Sequence, residues 1–485
     1  MIQDSSSQAA EPPGDGLGDL SAAAQAELLR RGEICAVDLA DDFIARCAQR
    51  NPAINAIVAL DEEAARRSAE ASDARRRAGA ALGPLDGIPV TVKDNLFLAG
   101  FRATWGSRLF RDFVPDEDDA GVARLRALGA NLLAKTNTPE FALGAHTDNF
   151  LFGPTRNPWR LDLTPGGSSG GAVAALAAGI GALAVGTDAG GSIRRPAAYA
   201  GVVGFRPSNG RIPRTAGFPP MALDLQAVAP AARSVDDVYL LFRSMAGPDA
   251  RDRASRCFAD YPLPQRLDAA LPGSPARICY VPEVESSAVD RDIRQQAERA
   301  ARLLEGGGHR VETGTMPFAL ADIERIWSTL TAVAVARLAG DSKDALAALQ
   351  PSNQAAAARG RAVDAQQYAA AVELVQQARR RVDAHFERFD FILSPTSACL
   401  PWPVGQAFPQ AIDGQPAGPR AGAVFSTFAN VAGIPAVSVP VGIGGGGLPV
   451  GVQLAGRFGA DLQVLALARQ LESMAGWRAR APAAV

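Results

Sequence analysis

Hydrophobic residues along the chain recur at helical spacing in some segments and in short continuous runs in others. An apolar stripe between Leu39 and Cys47 and the Glu/Arg-rich run 61–77 predict that residues 21–80 are helical. Further helices are predicted at 119–128, 170–178, 288–305 and 320–388. Short apolar runs predict strands at 88–92, 131–134, 182–187, 278–281, 309–313, 389–396, 434–442 and 448–456.

This alternation of strands and helices favours the α/β class. We expect a single large domain in which a mixed, mostly parallel sheet is covered by helices on both faces. The 485 residues are enough for a large buried core, although that length also allows two or three domains. Residues 1–16 are expected to form a disordered tail, followed by one domain over 17–485.

The charge balance indicates the kind of partner, and the cysteine content indicates the cellular compartment. The 49 basic and 51 acidic side chains give a net charge of -2, so no broad field would attract nucleic acid or an anionic membrane. We therefore expect a small-molecule partner. Five dispersed cysteines indicate reduced thiols in a cytoplasmic protein, and the first residues lack the basic and apolar regions of a signal peptide.

The segment 165–187 contains no charged residue and is long enough to be compared with a membrane span. It consists mostly of Gly, Ala and Ser, and the glycines at 179 and 181 interrupt it. We therefore predict a buried helix followed by a buried strand in this segment.

The hexamer GGSSGG at 166–171 is the first candidate for a functional motif. A Gly-rich loop at the start of a helix can bind phosphate through its backbone N–H groups. This loop, however, lacks the GK[ST] ending of a Walker A motif and contains no GxGxxG. A tight turn between closely packed elements is the structural alternative.

Two other segments suggest that the hexamer belongs to a catalytic site. Ser192 lies in TDAGGSIRRPAA, 24 residues after Ser168, and Lys93 follows the apolar run IPVTV. The glycines before Ser192 allow a sharp bend in which consecutive N–H groups form an oxyanion hole. A serine nucleophile needs a base, and a lysine serves if burial lowers its pKa from about 10.4.

Histidine is the more usual base, but the three histidines are poorly placed for this role. His309 and His385 lie in segments that are expected to be peripheral. His146, in ALGAHTDN, could line a pocket, although no nucleophile candidate is near it in the sequence. A Ser-His-Asp triad is therefore disfavoured.

The order and spacing of VKDN, GGSSGG and TDAGGSIRRPA resemble the amidase signature family of Ser-Ser-Lys hydrolases. The resemblance extends over about 20–472 and implies the amidase signature fold. It divides the domain into a catalytic core at about 80–245 and 388–472 and a variable helical and β-α-β region at about 246–387. Similar segments also occur at 135–142, 152–159, 201–212, 388–396, 430–442 and 447–456.

The resemblance also implies roles for individual residues. Ser192 would be the nucleophile, Ser168 the proton relay after a cis peptide bond, and Lys93 the base. The oxyanion hole would be formed by the backbone N–H groups of Ala189, Gly190, Gly191 and Ser192. Supporting hydrogen bonds would come from Ser169, Asp188 and Arg194. For Asp188 and Arg194, a purely structural ion pair is an equal alternative.

The implied activity is hydrolysis of the carboxylic amide of a small molecule to an acid plus ammonia or an amine, without a metal or organic cofactor. One alternative is the A-type glutaminase subunit of a tRNA-dependent amidotransferase, which requires protein partners. A second is a non-catalytic binding protein on a hydrolase fold. The family analogy also suggests a homodimer.

The substrate itself is not specified, and aryl, aliphatic and ureido amides all fit the sequence. Pocket candidates, for which core packing is an equal explanation, are His146, Phe218, Met221 and Trp402.

Overall fold

An eleven-stranded sheet forms the centre of the computed structural model, which describes residues 16–267 and 275–478. The described helices are α1 (Ala22–Arg31), α2 (Ala36–Ile54), α3 (Glu62–Arg77), α4 (Ala120–Ala127), α5 (Gly170–Ala177), α6 (Arg194–Ala200), α7 (Val235–Met245), α8 (Arg291–Gly306), α9 (Leu320–Ala339), α10 (Lys343–Ala348), α11 (Pro351–Arg361), α12 (Ala365–Arg388), α13 (Thr427–Ala432) and α14 (Asp461–Ala475). The strands of the sheet are β1 (Ile57–Leu60), β2 (Pro89–Lys93), β3 (Asn131–Thr136), β4 (Leu183–Asp188), β5 (Val203–Arg206), β6 (Ala227–Ala232), β7 (Arg277–Tyr280), β8 (Arg310–Thr313), β9 (Phe391–Pro395), β12 (Ala436–Ile443) and β13 (Pro449–Gly456). The short strands β10 (Ala411–Ile412) and β11 (Gln415–Pro416) form a separate hairpin.

The strand order is β1-β3-β2-β4-β6-β5-β12-β13-β9-β7-β8. Parallel pairs join β3, β2 and β4 at one side of the sheet and β9, β7 and β8 at the other. The six other pairs are antiparallel. The mixed sheet is confirmed, but the expectation of mostly parallel pairing is wrong. Strands buried on both faces have the same continuous apolar pattern in either direction, so the sequence does not distinguish the two.

Alternate residues of the central strands pack against different helical layers. In β4, Leu183 and Val185 share a core with α7 and α14, whereas Ala184 packs with residues of α5 and α6. Side chains that alternate in this way contact two layers, so helices cover both faces as predicted.

Residues 57–60 are helical in the sequence-based prediction, but they form β1, which pairs antiparallel with β3 at the edge of the sheet. Helix α2 ends at Ile54, and the next residue, Asn55, adopts a left-handed conformation with φ of 51°. The IVAL segment that follows contains two β-branched residues, which favour an extended backbone. The prediction of helices over 21–80 is therefore wrong for these four residues.

The region 246–387 contributes β7 and β8 to the same sheet, so it is not built around a sheet of its own. It also supplies the helices α8 to α12. The predicted tail over 1–16 lies, apart from Gly16, outside the described residues. The uncharged segment 165–187 forms α5 and β4, as expected. Among the described residues, no helix is both long and apolar enough to cross a membrane.

All five cysteines are free thiols. Cys47, Cys279 and Cys399 are buried, whereas Cys257 is exposed and donates to the carbonyl of Ala254.

Candidate active site

The site forms where two neighbouring parallel strands end. Strand β2 pairs with β4 so that Val92 lies opposite Val185, and both strands end in polar residues. Lys93 is the last residue of β2, and Thr187 and Asp188 are the last residues of β4. The carboxyl ends of parallel strands meet at one edge of a sheet, which brings these side chains together.

Lys93 is fully buried and donates to three hydroxyl groups. Its Nζ lies 2.8 Å from Ser168 Oγ, 2.9 Å from Ser169 Oγ and 3.1 Å from Thr187 Oγ1. No carboxylate forms a salt bridge with this ammonium among the described residues. Burial lowers the pKa of Lys93 to about 7, although the negative charge of Asp188 opposes the shift. A lysine with this pKa is partly neutral at physiological pH, as a general base requires.

A second buried lysine shows that this arrangement is specific to Lys93. Lys135, on β3, is also fully buried, but it donates to the backbone carbonyl of Leu96 and interacts with the charge of Asp94. It contacts no serine in the described hydrogen-bond network. Burial of a lysine therefore does not by itself identify the site, whereas its hydroxyl partners do.

The loop GGSSGG is held tightly against Lys93. The peptide bond between Gly167 and Ser168 is cis, as the resemblance implied. Thr147 Oγ1 donates to the carbonyl of Gly166 at 2.8 Å and accepts from the N–H of Gly170 at 3.1 Å. A Cβ at Gly170 would lie 2.3 Å from Thr147 Oγ1, so only glycine fits that position.

The loop after β4 brings Ser192 to the same place. The N–H of Ser169 donates to the carbonyl of Ser192 at 3.0 Å, which joins the two serine-bearing segments. The exposed fraction of Ser192 is 7%, whereas it is 1% for Ser168 and 0% for Lys93. Ser192 is therefore the member of the predicted triad that a substrate can reach from solvent.

Asp188 fixes the shape of this loop. Its carboxylate accepts from the N–H groups of Gly191 at 2.8 Å and Ile193 at 3.2 Å. Burial favours the protonated form, but the adjacent Arg194 guanidinium outweighs it and holds the pKa of Asp188 well below its usual range. Gly191 has φ of 95°, in the left-handed region that favours glycine.

Arg194 links the loop to two other elements. Its Nη2 lies 2.9 Å from Asp188 Oδ1, and both side chains are fully buried. Its Nη1 donates to the carbonyl of Ser426 at 2.8 Å and to Oε1 of Gln453. Asn430 accepts from Nη2 and donates to Asp188 at 2.8 Å. The ion pair thus stabilises the loop before α6 against α13 and β13.

The four predicted oxyanion-hole N–H groups differ in whether they already donate a hydrogen bond. The N–H of Gly191 is already bonded to Asp188. Within residues 16–267 and 275–478, no hydrogen bond occupies the N–H groups of Ala189, Gly190 or Ser192. Three of the four predicted donors are therefore available to an oxyanion.

The predicted pocket residues lie at different distances from the site. The carbonyl of His146 packs against Gly167, only 2.5 Å from where a Cβ there would lie. Trp402 packs edge-to-face on Tyr199, with ring centroids 5.9 Å apart. Phe218 and Met221 lie instead in a separate apolar cluster, where Phe218 stacks on Trp105 at 4.4 Å. No described contact joins that cluster to Lys93, Ser168 or Ser192.

Sequence reasoning missed several residues that the site uses. Thr147 binds both ends of the GGSSGG loop, and Thr187 Oγ1 accepts from Lys93 at 3.1 Å and from Asn95 at 3.0 Å. Arg195, which directly follows the candidate Arg194, donates to the carbonyl of Gly167 at 3.4 Å. Asn95, Thr187 and Arg195 lie in the motifs VKDN and TDAGGSIRRPA, but their residue types alone do not indicate contacts with the site.

One cavity elsewhere in the described residues does not contain this site. It has a volume of about 910 Å³ and is lined by Arg277, Asp383, Phe386, Glu387, Phe389, Asp390, Phe391, Arg457, Phe458, Ala460 and Gln463. None of these residues contacts the serines. Among the residues that the structure describes, no group of three or more His, Cys, Asp or Glu side chains is arranged to hold a metal ion.

A comparison with known proteins identifies the family of this chain. The profile of the Amidase family matches residues 38–465. The chain belongs to the amidase signature family. Membership makes it a hydrolase of a family that acts on C–N bonds, and its fold matches that of other amidase signature enzymes.

Individual relatives of this chain carry different names. The A-type subunit of the glutamyl-tRNA(Gln) amidotransferase from Symbiobacterium thermophilum is 36% identical over 93% of this chain and 95% of its own. A bacterial aryl acylamidase of known structure superposes with a TM-score of 0.86 at 29% identity, covering 94% of this chain and 96% of its own. The corresponding A-type subunit from Thermotoga maritima superposes with a TM-score of 0.74 at 27% identity, covering 94% and 95%.

Proposed function

We propose that this protein hydrolyses a carboxylic amide through an acyl-enzyme on Ser192, with Ser168 relaying protons to neutral Lys93. The observation that carries the proposal is a fully buried lysine that donates to Ser168 at 2.8 Å and has a pKa of about 7. A lysine with a purely structural role would not stabilise the fold here, because burying an ammonium group without a carboxylate in contact costs free energy. A base for a serine relay, in contrast, must be neutral.

The proposed reaction begins when Ser192 Oγ attacks the amide carbonyl. Ser168 accepts the Ser192 proton and gives its own to Lys93, while free N–H groups of the 189–192 loop stabilise the oxyanion. Lys93 then returns the proton through Ser168 to the leaving nitrogen, and the C–N bond breaks. Water attacks the ester by the same path, which releases the acid and regenerates Ser192.

The pH dependence follows from the protonation state of Lys93. Because the neutral amine is the active form, kcat/KM should rise about tenfold per pH unit below pH 7 and level off above it. Steady-state rates of ammonia release between pH 5 and 9 test this. The inflection should persist in His146→Gln, since burial lowers the pKa of that imidazole below its usual value. A flat profile, or one that rises only near pH 10, contradicts the role of Lys93.

Two functions share this chemistry and differ in substrate and partners. The curated relatives favour the alternative of an A-type amidotransferase subunit, because one such protein is 36% identical over nearly the whole chain. The higher TM-score to the aryl acylamidase, 0.86 against 0.74 for the Thermotoga maritima protein, favours a separate small-molecule amidase. We propose the small-molecule amidase first, because the superposition with the aryl acylamidase has the higher TM-score. The amidotransferase component is the second candidate.

Ammonia release from the purified chain distinguishes the two candidates. We expect the isolated protein to hydrolyse at least one aliphatic or aryl amide in a panel, with glutamine included and no other protein present. Hydrolysis of glutamine alone, increased by an added amidotransferase partner protein, would instead establish the second candidate. The oligomeric state of the active species, measured by light scattering, separates a homodimer from a partner-dependent component.

A further inference from the structure

We infer that Asn95 is a positioning residue for Lys93: its neutral amide holds the Thr187 hydroxyl against Nζ, so that this side of the base is polar but uncharged. The inference rests on the proposed function, because it concerns the protonation of the same base. Asn95 donates to Thr187 Oγ1 at 3.0 Å, and Thr187 Oγ1 accepts from Lys93 Nζ at 3.1 Å. Asn95 is thus connected to the base through one hydroxyl group.

Lysine is rare in this chain, and its positions are unusual. Only three of the 49 basic side chains are lysines, namely Lys93, Lys135 and Lys343. Lys93 and Lys135 are fully buried, whereas Lys343 is exposed at the start of α10. Burial changes the protonation of a lysine more readily than that of an arginine, whose ordinary pKa is far higher. Both buried positions therefore carry the side chain whose charge depends on its surroundings.

The two buried lysines have different neighbours. Burial lowers the pKa of Lys135 to about 8, and the charges of Asp94 and Asp119 oppose this shift. For Lys93, the charge that opposes the same effect is that of Asp188. The atoms in contact with Lys93 Nζ, in contrast, are three hydroxyl oxygens. Lys135 is therefore placed among carboxylate charges, whereas Lys93 is placed among hydroxyl groups.

The elements packed against Lys93 add little net charge. Asp188 ends β4 and is already paired with Arg194 at 2.9 Å. Helix α5, with the sequence GGAVAALA, carries no charged side chain, and Lys135 is the charged residue of β3. A neutral side chain at position 95 preserves this balance, whereas a carboxylate there would favour the charged form of the lysine.

The hydrogen bonds of Asn95 fit a positioning role better than support of the fold. The side chain is buried, and its Oδ1 has no hydrogen-bond partner among the described residues. A buried amide that only stabilises the fold normally uses both ends. Here the N–H end alone is used, and it donates to the hydroxyl that contacts Nζ. The adjacent Asp94 has different partners, because its carboxylate accepts from both the hydroxyl and the N–H of Thr104.

The first test is Asn95→Asp, which keeps the shape of the side chain and adds a negative charge within two hydrogen bonds of Lys93 Nζ. An opposite charge at this range raises the pKa of a lysine by about one unit or more. The pH at which kcat/KM levels off should therefore rise from about 7 by that amount. Below pH 7 the rate should fall about tenfold or more, and above about pH 9 it should recover. A loss of equal size at every pH overturns the inference.

A direct titration does not depend on turnover. Because the chain has only three lysines, NMR spectra of protein labelled with ε-¹³C lysine contain three signals, which Lys93→Met and Lys343→Arg assign. The Lys93 signal should titrate near pH 7 in the wild type and about one unit higher or more in Asn95→Asp. The reciprocal variant, Asp94→Asn, should instead lower the pKa of Lys135. A Lys93 pKa that does not move in Asn95→Asp overturns the inference.

A double-variant cycle tests whether Asn95 acts through Thr187. Asn95→Ala should lower kcat about tenfold, and the same change in a Thr187→Val protein should have little further effect. Equal losses in the two backgrounds overturn the connection through the hydroxyl. The control is Gln376→Glu, the same change of amide to carboxylate at an exposed position of α12. It should alter neither the rate nor the Lys93 titration, because solvent and salt screen that charge.

The outcomes also separate this inference from the proposed function. If Lys93 stays protonated up to about pH 9 in the wild type, or if Lys93→Met retains hydrolysis, the proposed base is wrong and the inference fails with it. If Lys93 titrates near pH 7 and its substitution stops hydrolysis, but Asn95→Asp leaves the titration in place, only the positioning role of Asn95 is overturned.

Discussion

Ser192→Ala is expected to lower kcat for amide hydrolysis by about 10³-fold or more, with little change in fold or stability. The alanine removes the oxygen that forms the acyl-enzyme, while the loop geometry set by Asp188 remains. Lys93→Met should produce a loss of similar size, because the two residues act as one unit and single losses are not additive. Initial rates of ammonia release measure both effects.

The matched control for the nucleophile is Ser328→Ala, which removes an exposed hydroxyl on α9 and should retain wild-type rates. Mass spectrometry after reaction with an activated phosphonate supplies an independent readout. The wild type should gain one adduct on the peptide that contains Ser192, whereas the Ser192→Ala protein should gain none. Hydrolysis that persists in Ser192→Ala would show that another residue is the nucleophile.

The fold class and most element positions are predictable from the sequence because the core strands carry unbroken apolar runs. Strand β4 and helix α5 lie within one or two residues of their predicted positions, since glycines separate the two small-residue segments. Strand direction is not predictable, because a strand such as β12 is buried on both faces whichever way its neighbours run. The four residues of β1 are not recognisable as a strand in the sequence. They lie between two long helices, whose helical spacing of apolar residues dominates the pattern of this segment.

The sequence explains only in part why the predicted catalytic residues lie together. Lys93 is recognisable as a candidate because it ends an apolar strand, but its three hydroxyl partners depend on the pairing of β2 with β4. The substrate pocket is the least predictable part. The apolar side chain of Phe218 suggests a pocket wall but packs on Trp105, whereas Arg195 resembles one more surface charge in the sequence and is buried in the structure.

Asp188→Asn is expected to destabilise the protein by about 3–5 kcal/mol. The substitution preserves shape but leaves the Arg194 guanidinium buried without its countercharge. Equilibrium unfolding in urea at pH 7 measures the loss. The control is Asp390→Asn, which disrupts an exposed pair with Arg277 and should cost less than about 1 kcal/mol. Similar losses in the two variants would mean that the buried pair does not stabilise the loop.

The pH dependence and a double variant test the electrostatic origin of that stability. The folded-state pKa of Asp188 is depressed, so its contribution is complete above the unfolded value of about 3.9 and disappears as the pH falls through the lower folded value. The difference between wild type and Asp188→Asn should therefore be constant from pH 5 to 8 and shrink only in strong acid. Adding Arg194→Met to Asp188→Asn should cost less than the sum of the single losses, because the second substitution removes the unpaired charge that the first creates. Additive losses would indicate that the two side chains act through packing, and the loop that holds Ser192 would then depend on Asn430 and Gln453 rather than on the ion pair.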